Sequence, residues 1–139
     1  MQSRWLADGQ EASRWLTLVF MLGLVFFPRP SLAATKVITD ADKGAVVHLK
    51  SGQEIEVRLK ANPSTGYLWY VQRDSTASLK LVRQSQTEPE EPGVGRPVFQ
   101  VFRFRAARTG QGPLRLHYVR SWEKPTADEE RFEVHVVVE

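Results

Sequence analysis

Residues Gln53 to Trp69 read QEIEVRLKANPSTGYLW, and three kinds of local chemistry meet in that one run. It opens with strict alternation: Ile55, Val57 and Leu59 fall on one side, and Glu54, Glu56, Arg58 and Lys60 on the other. A period of two places successive side chains on opposite faces of an extended chain, so this is a strand with one buried and one wet face. The alternation stops at Asn62-Pro63-Ser64-Thr65-Gly66. Proline fixes φ there and removes a backbone donor, glycine admits a tight turn, and the small hydroxyls tolerate either. The pattern resumes in aromatic form, with Tyr67 and Trp69 on one face and large enough to fill the space between two sheets. A strand, a displayed polar turn and an aromatic strand predict an all-β protein with at least one exposed loop of unusual composition.

The rest of the chain extends this reading. VFQVFRFRAA, from Val98, sets Phe102, Phe104 and Ala106 against Arg103 and Arg105; PLRLHYV, from Pro113, sets Leu114, Leu116 and Tyr118 against Arg115 and His117. RFEVHVVVE, from Arg131, turns Phe132, Val134, Val136 and Val138 inward. Turn chemistry separates the runs at Lys43-Gly44, Ser51-Gly52 and TGQGP, Thr109 to Pro113. Strands are predicted at about 45–50, 53–60, 67–73, 78–84, 98–107, 114–119 and 131–138. No mature segment carries a helical stripe. Seven short strands with half-polar faces predict an immunoglobulin-like antiparallel β-sandwich without its disulfide.

The first residues follow other rules. Arg4 and Arg14 precede WLTLVFMLGLVFF, Trp15 to Phe27, which has no charge and is followed by Pro28 and the small residues Ser31 and Ala33. This run is too short to span a bilayer, which needs about 20 apolar residues, and its layout is that of a secretory signal peptide. Residues 1–33 are therefore expected to be removed, leaving a 34–139 domain that is periplasmic or secreted. The formal charge falls from +3 to about +2, too small to argue for nucleic acid. No cysteine is present, so stability rests on core burial, and thiol chemistry and a lipobox anchor are excluded.

Catalytic chemistry finds little support. His48, His117 and His135 lie in alternating strands without metal-ligand spacing, and Ser64, though on a turn, has no base beside it in sequence. The acidic groups Glu88, Glu90, Glu91 and Asp128, Glu129, Glu130 lack the spacing of a calcium loop. No metal or cofactor is expected. What remains is three long connections: Ala61 to Gly66, Gln84 to Pro97 with Gly93-Val94-Gly95, and Val119 to Glu130 with Trp122 between Arg120 and Glu123. Long loops on a small rigid sandwich are where binding resides.

Those loops carry a resemblance. NPSTGYLW is similar to the NPTTGY/F-x-W motif of the chagasin family of cysteine-peptidase inhibitors, GVG at 93–95 resembles that family's second loop, and YVRSWE resembles its Y-x-R-P-W segment. The resemblance runs from Thr35 to Glu139 and departs at Ser121, where the family has proline. It implies a monomeric, reversible, non-covalent inhibitor of papain-like cysteine peptidases of the papain or cathepsin L type, with no enzymatic activity and no stable membrane association. It also implies the contact residues: Asn62, Pro63, Ser64, Thr65 and Gly66 at the centre of the cleft, Gly93, Val94 and Gly95 along the non-primed subsites, and Arg120 and Trp122 on the primed side. The competing reading is a non-inhibitory immunoglobulin-like binding module of the cell envelope.

Overall fold

Alternation of this kind needs a partner surface for each apolar face, and two sheets supply it to each other. The computed structural model describes residues 34–88, 93 and 95–139; the predicted signal peptide, Glu90, Glu91 and Val94 lie outside the described residues. The strands are β1 (Lys36–Thr39), β2 (Val46–Leu49), β3 (Glu54–Ala61), β4 (Leu68–Val71), β5 (Leu79–Gln86), β6 (Val98–Ala106), β7 (Gly110–Val119) and β8 (Glu130–Val138). One sheet has the order β1-β3-β6-β5 and the other β2-β8-β7-β4. Their inner faces enclose Ile55, Val57 and Leu59 of β3, Phe102 and Phe104 of β6, Leu114 and Leu116 of β7, and Phe132, Val134 and Val136 of β8. These are the residues that period two selects.

The sandwich is the expected one, with three differences of detail. Among the described residues it has eight strands where seven were expected, because Lys36–Thr39 pairs in parallel with β3. A four-residue strand with one buried side chain, Ile38, is too short for alternation to register. The pairing of β2 with β8 is also parallel, so each sheet carries one parallel edge on an otherwise antiparallel frame. The TGQGP stretch, expected as a turn, instead gives Gly110–Pro113 to the start of β7, with Pro113 opposite His135. Proline is tolerated there because β4 ends at Val71, opposite Leu116, leaving that flank of β7 without a neighbouring strand. The carbonyl of Pro113 accepts the Thr76 N–H at 2.7 Å.

Among the described residues one polar side chain has no exposed surface. Gln100 of β6 is 0% exposed; its amide oxygen accepts the Trp69 N–H at 2.7 Å and its amide nitrogen donates to the Trp69 carbonyl at 3.3 Å. The side chain thus acts as a short strand partner and joins β6 of one sheet to β4 of the other. The Trp69 indole N–H donates to the Lys60 carbonyl at 2.9 Å, adding β3 to the same junction.

On the outer face of the first sheet, Glu56 lies beneath two guanidiniums, Arg103 at 2.8 Å and Arg58 at 2.6 Å. The hydrogen bond from Arg103, then that from Arg58, holds its carboxyl below the ordinary carboxylate range against an opposing effect of burial. A depressed folded pKa adds stability above the unfolded value, about 4.3, that is lost as pH falls through the folded pKa. Both arginines are substantially solvated, so Glu56→Gln should cost only about 1 kcal/mol at pH 7. Thermal melts of the two proteins should converge as pH is lowered below about 4.

Candidate functional site

Strand register decides which loops meet. Ala61 at the end of β3 lies opposite Val98 at the start of β6, and Leu68 at the start of β4 lies opposite Val119 at the end of β7. The connections 62–67, 87–97 and 120–129 therefore all leave from the same end of the sandwich.

The first of them is a single 3-10 turn, Pro63–Thr65, closed by Thr65 N–H to the Asn62 carbonyl at 3.1 Å and Gly66 N–H to the Pro63 carbonyl at 2.9 Å. Proline begins the turn with φ already set, and Gly66 ends it in the left-handed region at φ 83°. The hydroxyls reinforce it: Thr65 Oγ1 donates to the Asn62 carbonyl at 2.6 Å, and Ser64 Oγ donates to Asn62 Oδ1. The hydroxyl of Ser64 thus points its proton at an amide oxygen, which cannot serve as a base, and nucleophilic catalysis has no starting point here.

Side chains then tie the loops together. Asn62 Nδ2 donates to the Gly95 carbonyl at 3.2 Å, linking the first loop to the second. Arg120 Nε donates to the Thr65 carbonyl at 2.9 Å, linking the third to the first. The Arg120 guanidinium also covers the Tyr67 ring at 4.3 Å and bonds Glu123 at 2.8 Å; that carboxylate, with the nearby Tyr67, raises the arginine's pKa still further. Trp122 is 70% exposed, yet its ring is seated on Gly66: a methyl at that glycine would come within 2.2 Å of the indole. Large exposed aromatics of this kind are enriched at binding hot spots.

Of the residues picked out from the sequence, Asn62 to Gly66, Gly95, Arg120 and Trp122 come together as one surface. Gly93 belongs to the second loop and is exposed, and among the described residues a methyl there would meet the Arg96 side chain at 3.3 Å; Val94 lies outside the described residues. The sequence reading missed the supports. The Tyr118 hydroxyl accepts the Asn62 N–H at 2.9 Å, and its ring packs on Trp69 at 5.0 Å and Tyr67 at 5.4 Å. Gln100 fixes the strand below. Both have the inward parity of their strands, and an inward polar group is the signal that could have found them.

The model of the Chagasin family peptidase inhibitor I42 matches residues 48–136, from within β2 to within β8, and so spans all three loops. The chain belongs to the chagasin family. Chagasin of Trypanosoma cruzi is 28% identical over 103 residues, covering 71% of this chain and 94% of the relative. Amoebiasin-2 of Entamoeba histolytica is 29% identical over 93 residues, covering 66% and 76%. The crystal structure of the cysteine protease inhibitor EhICP2 from Entamoeba histolytica superposes with a TM-score of 0.66 at 25% identity, over 76% of this chain and 96% of that one. The chagasin family consists of peptidase inhibitors, not enzymes.

Proposed function

We propose that this chain is exported, loses residues 1–33, and acts as a monomeric, reversible, non-covalent inhibitor of papain-like cysteine peptidases. It does so by inserting loops 62–66, 93–97 and 120–123 into the active-site cleft. The observation that carries this reading is the cross-linking of the three loops into one surface by Asn62 to Gly95 and Arg120 to Thr65. Thr65 stands nearest the catalytic cysteine and histidine, Gly93 to Gly95 line the non-primed side, and Arg120 and Trp122 the primed side.

The same hydrogen bonds explain resistance to cleavage. A scissile peptide must be extended, with its carbonyl free to enter an oxyanion hole. In the turn the Asn62 carbonyl accepts two bonds, the Pro63 carbonyl accepts Gly66 N–H, and the Thr65 carbonyl accepts Arg120. A thiolate is covered by a bent backbone whose carbonyls at these three residues are already engaged. Loops fixed in advance also lose little freedom on binding, which would otherwise offset much of the gain from burial.

Titration of the protein against papain and a cathepsin L-type enzyme should give stoichiometric inhibition that is recovered on dilution. No inhibition at micromolar protein, or cleavage between Asn62 and Gly66 detected by mass spectrometry, would refute the proposal. Trp122→Ala should weaken inhibition by about 2 kcal/mol, roughly thirtyfold, with little change in melting temperature because the side chain is mostly exposed. An unchanged inhibition constant would show the indole to be idle. Export is tested by N-terminal sequencing of protein from the periplasm or medium, which should begin near Ala34.

A further inference from the structure

The chain's small net charge averages over an uneven distribution. On the outer face of the sheet β1-β3-β6-β5, β3 presents Glu54, Glu56, Arg58 and Lys60, β6 presents Phe99, Val101, Arg103 and Arg105, and β5 presents Lys80, Arg83 and Ser85. Cations outnumber carboxylates there, and both carboxylates are consumed: Glu56 by Arg58 and Arg103, Glu54 by Arg105 at 2.6 Å. They lie under the guanidiniums and hold them in place. Lys60, Lys80 and Arg83 have no ion-pair partner among the described residues and are exposed.

Register makes the arrangement costly. Lys80 sits directly opposite Arg105, and Arg83 directly opposite Arg103. Like charges facing each other across strands are destabilising. An edge strand can be guarded against pairing with other chains by charge of either sign, so guarding alone does not call for cation opposite cation twice in succession.

We infer that this face binds a linear acidic polysaccharide. The two cationic rows lie about 7 Å apart along the strands, as alternate residues of one face must, and Arg58 and Lys60 continue the field toward the loop end. A flat, rigid field of this kind suits an extended chain of repeated sulfate or carboxylate groups. Duplex nucleic acid is read by an element that enters a groove, and single strands by a platform of several aromatics; this face has neither, its one aromatic being Phe99. A membrane-binding face needs a broad apolar surface to insert, whereas the exposed apolar side chains of this sheet, Val37, Leu81, Val82 and Phe99, are scattered over three strands, with Glu56 opposite Val37 and Lys60 opposite Phe99. Arg103 and Arg105 lie roughly 17–23 Å along β6 from Val98, where the loops begin, so a polysaccharide held on these two rows, with Lys80 and Arg83, leaves room for a protein at the loops. The inference stands apart from peptidase inhibition.

The test is retention of the protein on immobilised heparin and on immobilised polygalacturonate at about 0.15 M salt. Elution from at least one of them should need more salt than elution from a sulfopropyl matrix. Lys80→Glu with Arg83→Glu should lower the affinity at least tenfold and raise the melting temperature, since each new carboxylate faces an arginine. Lys60→Gln with Arg83→Gln, which introduces no acid, should give a smaller loss in the same direction. Trp122→Ala should bind as the parent does. Equal elution from heparin, polygalacturonate and sulfopropyl matrices, retention unchanged in both double variants, or tighter binding to single-stranded DNA or phosphatidylglycerol vesicles would overturn the inference.

Discussion

Gly66→Ala is expected to weaken peptidase inhibition by about 3 kcal/mol, more than a hundredfold, while the sandwich stays folded. Two effects combine at one atom. The glycine's φ of 83° lies where an L side chain costs about 1–2 kcal/mol, and that strain is relieved by opening the turn that Gly66 N–H closes onto Pro63. The added methyl also meets the indole of Trp122 at 2.2 Å, and since this is the free end of an exposed side chain, the ring swings away and nothing in the core moves. Both displacements fall on the surface proposed to enter the cleft, so the loss should exceed that of Trp122→Ala. Gly52→Ala supplies the control. Its φ is 86° with open space around it, and it precedes β3 where Asn62 follows, at the far end of the same strand. It should lower the melting temperature by a similar amount and leave inhibition untouched. Full inhibition by Gly66→Ala would mean that neither the turn nor the seating of Trp122 matters to the peptidase.

The sequence made the inner faces legible and left their lateral neighbours obscure, for reasons that particular residues illustrate. Ile55, Val57, Leu59, Phe102 and Phe104 could be assigned because period two is a property of one strand. Pro113 could not be assigned to β7, because its tolerance depends on where β4 ends, a fact of pairing between distant segments. Trp122, an aromatic among polar residues, was readable as a surface anchor. Its seat on Gly66 was not, nor was the bond from Arg120 to Thr65, which spans 55 positions. The family resemblance pointed to the three loops; the hydrogen bonds that make them one surface join residues 33 and 55 positions apart, beyond the reach of any local pattern. Net charge misled in the same way, since a near-neutral total gave no hint that one sheet face carries cation opposite cation.

Gln100 offers the largest stability effect and the clearest sign test. Gln100→Leu keeps the volume but leaves the buried N–H and carbonyl of Trp69 without their partners, each costing about 1–3 kcal/mol. The sum, about 3 kcal/mol or more, corresponds to a fall in melting temperature of roughly 15 °C for a domain of this size. Gln100→Glu separates acceptor from donor. Its carboxylate can still accept the Trp69 N–H, but it faces the Trp69 carbonyl with no proton to give. Burial raises the folded pKa of such an acid above its unfolded value, so the variant should be least impaired near pH 4, where the protonated acid donates to the carbonyl. Its deficit against the parent at the same pH should grow as pH rises toward 7, whereas that of Glu56→Gln should shrink as pH falls. A deficit independent of pH would mean that the new side chain had left the pocket for solvent, and that β6 and β4 are held at the root of the loops by apolar packing alone.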